Sequence, residues 1–552
     1  MIALFAVALV VRIIGVDHGA IIGDERINEA AKVLTGRLVP DQHFYPPLLN
    51  YLTAILYGFM FAVGKVMGVW PDATAFRSQY FQDPTIFSVA GRVLVAAISA
   101  LMAPIAYKFA RKMKYEMGEA LLISTVILLA PLSVYLSFMY KGDPALASFS
   151  LLTILLMVRK SQVPESWRLD IWLALSMVLA LSFKHSFALN MLPLAIAYLV
   201  AIYPLVGVSG TLWSVVRIFL VGVITWPVLN IGIVLDFQNF LDFQKIQSVM
   251  SITEGATLSQ SLGLLVERVF HLQSGLGLIL PVLFLAFPLV ANRTVQPRML
   301  ISIWLATIAG MILVAYLVRL RQPEHLWVSF FVVVAFFAAL TLIEILRMHR
   351  AVGRILGAGV LALAIFGCLG LWQQTLARPI TQEIASVIQE NYSVRKIATG
   401  IPLPTVPQSR IAQDYEVARH QRTANKYDIE LPPLSAERII PLNSPNSQFI
   451  LPLPNPMSGL ENARDEDLVG NIRPYAWPPQ IADWTLDAWL ADGVDVFVVS
   501  NLPYLMHETS SVMLRAFYQD LNERCKVTAE FEPRKPLFLE RKTIIMDCSM
   551  RP

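Results

Sequence analysis

Apolar runs recur through the first 373 residues of this chain, and they constrain its fold more tightly than any other feature. They fall near 1–16, 51–68, 88–108, 119–138, 144–158, 170–183, 186–204, 211–234, 276–292, 299–318, 325–346 and 354–373. Most approach the roughly 20 residues that a helix needs to cross the hydrocarbon core of a bilayer. Only 15% of the 552 residues are charged and 56% are hydrophobic, whereas an average soluble protein carries about 25% charged residues. The chain reads as a polytopic α-helical membrane protein. A net charge of only +4 argues against nucleic acid as a partner. The opening MIALFAVALVVRIIGV has no basic n-region and no small-residue cleavage site, so it is expected to be a retained first span.

Basic residues between the runs set the expected orientation. Lys108, Arg111, Lys112 and Lys114 share one loop, Arg159, Lys160 and Arg168 a second, Arg293 and Arg298 a third, and Arg347, Arg350 and Arg354 a fourth. If all four face the cytoplasm, run 51–68 cannot be a simple crossing and becomes a re-entrant or interfacial helix on the outer side. About 11 crossings follow, with the N-terminus inside and the C-terminus outside. The expected setting is a bacterial inner or plasma membrane.

With that orientation, Asp24, Glu25, Glu29, His43, Tyr45, Asp143, Lys184, His185, Arg319, Arg321 and the polar loop 235–274 all fall outside. Among the eight histidines only His349 is expected on the cytoplasmic side. Reactive side chains from loops far apart in sequence thus converge on one face, as in an active site roofed by outer loops. Two domains are expected. Residues 1–374 are the membrane domain, with a first outer loop at 17–87, and 375–552 are a soluble α/β domain outside the membrane. Trp484 to Ser500 reads as helix, turn and buried strand, Leu505 to Arg524 as a helix, and Val527–Phe531 and Leu537–Met546 as strands. Cys525 and Cys548 flank the last hairpin and could pair in an oxidising compartment, while Cys368 lies in a span.

The first outer loop holds the most informative chemistry. Ile27, Ala30, Ala31 and Leu34 follow helical spacing, so a helix lying on an apolar surface is expected after Asp24 and ending at Gly36. Asp24 suits a helix cap, and Asp143 before Pro144 suits a helix start. Lys184 and Arg12 suit snorkelling at an interface. Against these plain readings stands the coincidence of two outward caps and Glu25 beside a bilayer, with Lys184-His185 at the same level. No HExxH, CxxC, P-loop, GxGxxG or GxSxG pattern is present.

Arg12, Asp24-Glu25, Gly36, Pro40, Tyr45-Pro46-Pro47-Leu48 and Tyr51-Leu52, in that order, resemble the first outer loop of the GT-C glycosyltransferases. The nearest branch resembles the protein O-mannosyltransferases and the lipid A aminoarabinose transferases. Arg92-Val93-Leu94 with Ser99, Ala130-Pro131-Leu132, Tyr135 through Asp143, and Phe183-Lys184-His185-Ser186 with Leu192-Pro193 agree in order, and Asp492 to Val499 resembles the outer domain of many bacterial members. The resemblance implies a GT-C-like fold and transfer of a sugar from a polyprenyl-phosphate donor to an acceptor hydroxyl on the outer face. The acceptor is a glycan, lipid or protein.

In that scheme Asp24 is the general base. Lys184, with His185 or one of Arg319 and Arg321, stabilises the departing phosphate. Asp143 and Glu25 hold an acceptor, a sugar hydroxyl or a divalent cation, and Asp24 with Asp143 is the candidate metal pair. Glu29, His43 and Tyr45 line the acceptor side of the loop. No organic cofactor is implied. The chain departs from the family at Glu324-His325-Leu326-Trp327, where Arg-Tyr is usual, and at His185. Two other readings stand beside this one. One is an inactive structural or assembly subunit that contacts other membrane proteins. The other is a transporter, which the scarcity of mid-depth charge disfavours.

Overall fold

The structure, a computed structural model, describes residues 1–18, 25–40, 43–251, 257–273, 275–318, 322–392, 395–401, 449–452, 485–491, 493–507, 512–534 and 540–549. The chain divides into two compact units: Met1–Val69 with Thr85–Gln373, and Trp70–Pro84 with Gln374–Pro552.

The first unit is helical. In chain order the helices begin with α1 (Ile2–Ile13), α2 (Ile27–Val33), α3 (Leu48–Val66), α4 (Ala73–Gln82, which groups with the second unit), α5 (Thr85–Ala100), α6 (Met102–Lys112), α7 (Met117–Leu128), α8 (Pro131–Leu136), α9 (Asp143–Gln162), α10 (Trp167–Phe183) and α11 (Phe187–Leu229). Pro297–Val318, Val328–Met348 and Arg350–Leu376 follow among the longer helices. Seven helices among the described residues are long and apolar enough to cross a membrane.

Several of the expected crossings are broken by specific residues. Run 119–138 divides at Ala130-Pro131 into α7 and α8, and run 276–292 divides at Ala286 just before Phe287-Pro288. Proline lacks the amide hydrogen a continuous helix needs. α3 has the length of a crossing, so the placement of that run as a re-entrant helix rests on loop charge alone.

α11 is not one straight helix. Gly207 has φ 67° and ψ −173°, a conformation open chiefly to glycine. The Tyr198 hydroxyl lies 2.6 Å from Ser214 Oγ, although 16 residues of continuous helix would hold them roughly 24 Å apart. The chain therefore doubles back at Gly207. The two apolar runs near 186–204 and 211–234 form a helical hairpin.

Burial separates central from peripheral helices. The Glu324–Met348 window is 94% buried and that of α9 83%, against 33% for α3 and α11. A helix that is apolar all round belongs in the middle of a bundle, and α9 and Val328–Met348 sit there.

The second unit is an α/β domain with a five-stranded sheet in the order β2-β1-β3-β5-β4. The strands are β1 Lys396–Thr399, β2 Phe449–Pro452, β3 Val494–Ser500, β4 Lys526–Phe531 and β5 Thr543–Asp547. β1 runs parallel to β2 and β3, and β5 runs antiparallel to β3 and β4. Side chains alternate across a strand. Val496 and Val498 pack on Ile384 and Ile388 of helix Ile380–Asn391, while Phe497 and Val499 pack on Trp489, Phe517 and Tyr518. β3 is buried on both faces, in keeping with the apolar run Val496 to Val499 along most of its length. Cys525 and Cys548 form a disulfide. The helix expected over 505–524 is two, Leu502–His507 and Val512–Arg524.

Candidate active site

The site gathers at the end of the bundle where α9 begins and α10 ends. Glu25, just ahead of α2, anchors it. Its carboxylate accepts from Arg92 Nε at 2.8 Å and Nη2 at 2.6 Å, and from the Tyr140 amide at 2.6 Å. Arg92, on α5, also donates to the Val16 carbonyl at 2.9 Å. Both charges are buried, a state that needs pairing of this kind. Glu25, which the sequence groups with the catalytic carboxylates, is thus occupied in holding the loop to α5 and to the segment before α9.

Tyr140 extends the scaffold. Its hydroxyl lies 3.0 Å from Asn50 Oδ1 and 2.9 Å from Thr53 Oγ1 on α3. Its ring lies against Gly91, where an added Cβ would stand 2.8 Å from Tyr140 Cδ2. Burial raises its pKa and keeps the phenol protonated.

Three residues later the chain enters α9 at Asp143-Pro144. Asp143 is fully buried; its Oδ1 accepts from Lys184 Nζ and, among the described residues, its Oδ2 has no hydrogen-bond partner. Lys184 follows the last turn of α10 in an extended conformation, with its ammonium 5.9 Å from the centre of the Tyr45 ring. The pair can form because the backbones of the two loops touch at Gly142. A Cβ there would fall on the carbonyl oxygen of Phe183.

His43 and His185 close the side. His43 Nε2 lies 2.8 Å from Asp236 Oδ2. Both imidazoles contact Phe240, the first residue's ring centre at 5.8 Å and the second's at 5.3 Å. Burial, and then proximity to His43, push the His185 pKa down to about 4, so its ring is neutral near pH 7. Among the described residues, His43 Nδ1 and His185 Nε2 are buried without hydrogen-bond partners.

A cavity lies beside these groups, lined by Arg26, Glu29, Tyr45, Asn50, Tyr140 and Lys141 and reaching Gly142 and Phe183. The structure thus brings together Glu25, Glu29, His43, Tyr45, Asp143, Lys184 and His185. Asp24, Arg319 and Arg321 lie outside the described residues. Among the described residues no group of three or more His, Cys, Asp and Glu side chains could hold a metal ion. The ammonium on Asp143 also opposes a cation there.

Three local expectations need correction. Arg12 does not snorkel: it is fully buried, and donates to Ser99 Oγ at 2.9 Å, Ser133 Oγ at 3.4 Å and the Ala8 carbonyl at 3.2 Å. The inward face of α2 is not the apolar stripe alone. Ile27 and Ala30 are buried, but so are Glu29 and Lys32, while Leu34 is exposed. The N-cap of α2 is Arg26 rather than Asp24, and it makes no side-chain cap bond.

Arg92, Tyr140, Asn50 and Asp236 were not singled out as site residues by sequence. An arginine inside an apolar run was the available signal for Arg92, since charge within a span calls for a partner. For Tyr140 and Asn50 the sequence carried none.

Residues 35–247 match the family Dolichyl-phosphate-mannose-protein mannosyltransferase, a stretch that includes His43, Tyr45, Arg92, Tyr140, Asp143, Lys184 and His185. No curated protein matches the chain. Among solved structures, ArnT from Cupriavidus metallidurans bound to undecaprenyl phosphate is similar at 15% identity and TM-score 0.48, over 99% of this chain and 97% of that one. The Archaeoglobus fulgidus oligosaccharyltransferase complex with Zn and sulfate is similar at 12% identity and TM-score 0.49, over 97% and 72%. Mycobacterial arabinofuranosyltransferase AftD is similar at 14% identity and TM-score 0.38, over 99% and 41%. The family match extends the GT-C resemblance of the first loop through α9 and α10. It supports lipid-linked sugar transfer in general, and a glycosyltransferase as the class.

Proposed function

We propose that this protein transfers a sugar from a polyprenyl-phosphate donor to an acceptor hydroxyl at the outer membrane face. The observation that carries the reading is the meeting of Asp143 and Lys184 beside a cavity lined by the first loop, within the segment matched by the mannosyltransferase family. A tethered donor suits this layout, because its lipid would lie along the helices and its phosphate would reach the end of the bundle.

In the reaction the acceptor oxygen attacks the anomeric carbon while the bond from that carbon to the phosphate oxygen breaks. Asp24 takes the acceptor proton. The negative charge that develops on the leaving phosphate meets the Lys184 ammonium, which Asp143 holds in place. Neutral His185 can donate or accept one hydrogen bond there without adding charge. Glu25, fixed by Arg92 and the Tyr140 amide, anchors the chain at the residue after the base. Glu29 and Tyr45 line the cavity for the acceptor, and Arg319 and Arg321 remain candidates for the phosphate. General-base assistance contributes roughly 10²–10⁴-fold. Asp24→Asn is therefore expected to lower transfer by that range, measured with a polyprenyl-phosphate sugar in membranes at matched expression. Unchanged transfer would remove Asp24 from the mechanism.

A further inference from the structure

At the opposite end of α9 and α10 lies a second buried ionic cluster that sugar transfer does not use. Asp170 is fully buried and accepts from Lys160 Nζ at 2.7 Å, Arg217 Nη1 at 2.9 Å and Ser214 Oγ at 2.6 Å. Two cations therefore share one carboxylate, leaving an excess positive charge. Lys160 is buried and also donates to the Ser166 carbonyl at 3.1 Å. Arg217 differs: its side chain is 41% exposed, and among the described residues its only hydrogen bond goes to Asp170. The guanidinium has five N–H donors, so most of its fork faces outward.

The surroundings are those of a membrane interface. Trp213 lies one helical turn before Arg217, on the same face of the helix, and is 59% exposed. Trp167 is exposed at the start of α10, with the Arg168 guanidinium 5.8 Å from its ring centre. Exposed tryptophans mark the headgroup level of a bilayer. An outward arginine fork at that level matches a phosphate, and basic pockets between spans on the positively flanked side attract anionic headgroups.

We propose that the surface around Arg217 and Trp213, where the second arm of α11 meets α10, binds the phosphate of an anionic phospholipid in the leaflet on that side. Arg217 is the phosphate ligand, Trp213 packs on the glycerol and upper chains, and Lys160 with Asp170 fixes the arginine. The lipid would supply the negative charge the cluster lacks.

The test is native mass spectrometry of the full chain from phosphatidylcholine nanodiscs containing phosphatidylglycerol, together with thermal melting in the same mixtures. Wild-type protein is expected to retain one phosphatidylglycerol and to melt higher in its presence. Arg217→Gln should weaken retention roughly fivefold, the effect of one basic residue near an anionic surface. Trp213→Ala should weaken it with the Asp170 contacts intact, and Arg217→Lys should retain part of it. Wild-type retention in both Arg217→Lys and Trp213→Ala overturns the proposal even if Arg217→Gln fails to fold. An equal rise in melting temperature from inorganic phosphate alone also overturns it, because the site would then not recognise a lipid.

Discussion

Two buried ionic clusters lie at opposite ends of the same pair of helices, and they are built differently. At one end Lys160, Arg217 and Ser214 satisfy both oxygens of Asp170. At the other, among the described residues, Asp143 keeps one oxygen unpartnered, and His43 and His185 each keep one buried ring nitrogen without a hydrogen bond. Unmade hydrogen bonds on buried groups cost about 1–3 kcal/mol each, so a fold that retains them beside a cavity is poised for a ligand. The carboxylate of the first is fully engaged in joining helices, whereas that of the second has capacity left for chemistry.

Breaking each end separately tests that contrast. The largest effects are expected on stability. Asp170→Asn leaves two cations around a neutral group, and Arg92→Met strips Glu25 of its partner. Each should destabilise by about 3–5 kcal/mol, the cost of orphaning a buried charge. Both should appear in detergent melting curves, and Glu25→Gln added to Arg92→Met should recover part of the loss.

Catalysis should then separate the ends. Lys184→Met is expected to lower transfer about 10²–10³-fold, the effect of removing one donor to a developing anion. Lys160→Met should leave turnover per folded molecule unchanged. Equal losses in both variants would erase the distinction between a working end and a structural one.

A smaller effect concerns acid. Burial lowers the His185 pKa from 6.5 to about 4. Its folded value lies below its unfolded one, so its contribution to stability is present above pH 6.5 and is lost as pH falls toward 4. The loss is on the order of 3 kcal/mol. His185→Asn should flatten the acid side of the melting profile between those values. An unaltered profile would mean that His185 is solvated.

The mildest probe is Gly142→Ala. The added carbon must push the loop away from Phe183, and overpacking of this kind costs about 1–3 kcal/mol. Transfer should fall more than stability does, because the displaced loop carries Asp143 away from Lys184. A purely structural glycine would lower stability without altering the KM or kcat of the folded fraction.

The sequence was most legible where one residue type or one period settles the matter. Apolar runs located the helices, the Gly207 region lay between two of them, and Val494 to Val499 announced a buried strand. Helical spacing placed α2 correctly. It did not reveal that Glu29 and Lys32 turn inward, because amphipathicity describes a helix against a uniform surface and not against a neighbour offering charged partners. The grouping of Trp70–Pro84 with the C-terminal segment was equally hidden, since it depends on contacts hundreds of residues away.

The sequence alone determined that this chain is a bundle of apolar helices with a terminal α/β domain. It also marked Asp143, Lys184 and the first loop as unusual polar residues near helix ends. Those are local properties, fixed by hydropathy, period and proline. Only the tertiary structure decided which charges share a partner. Pairing Glu25 with Arg92, Asp143 with Lys184, and Asp170 with both Lys160 and Arg217 depends on which helix ends come within hydrogen-bond reach. In a buried, low-dielectric setting that reach determines whether a charge is held or left available.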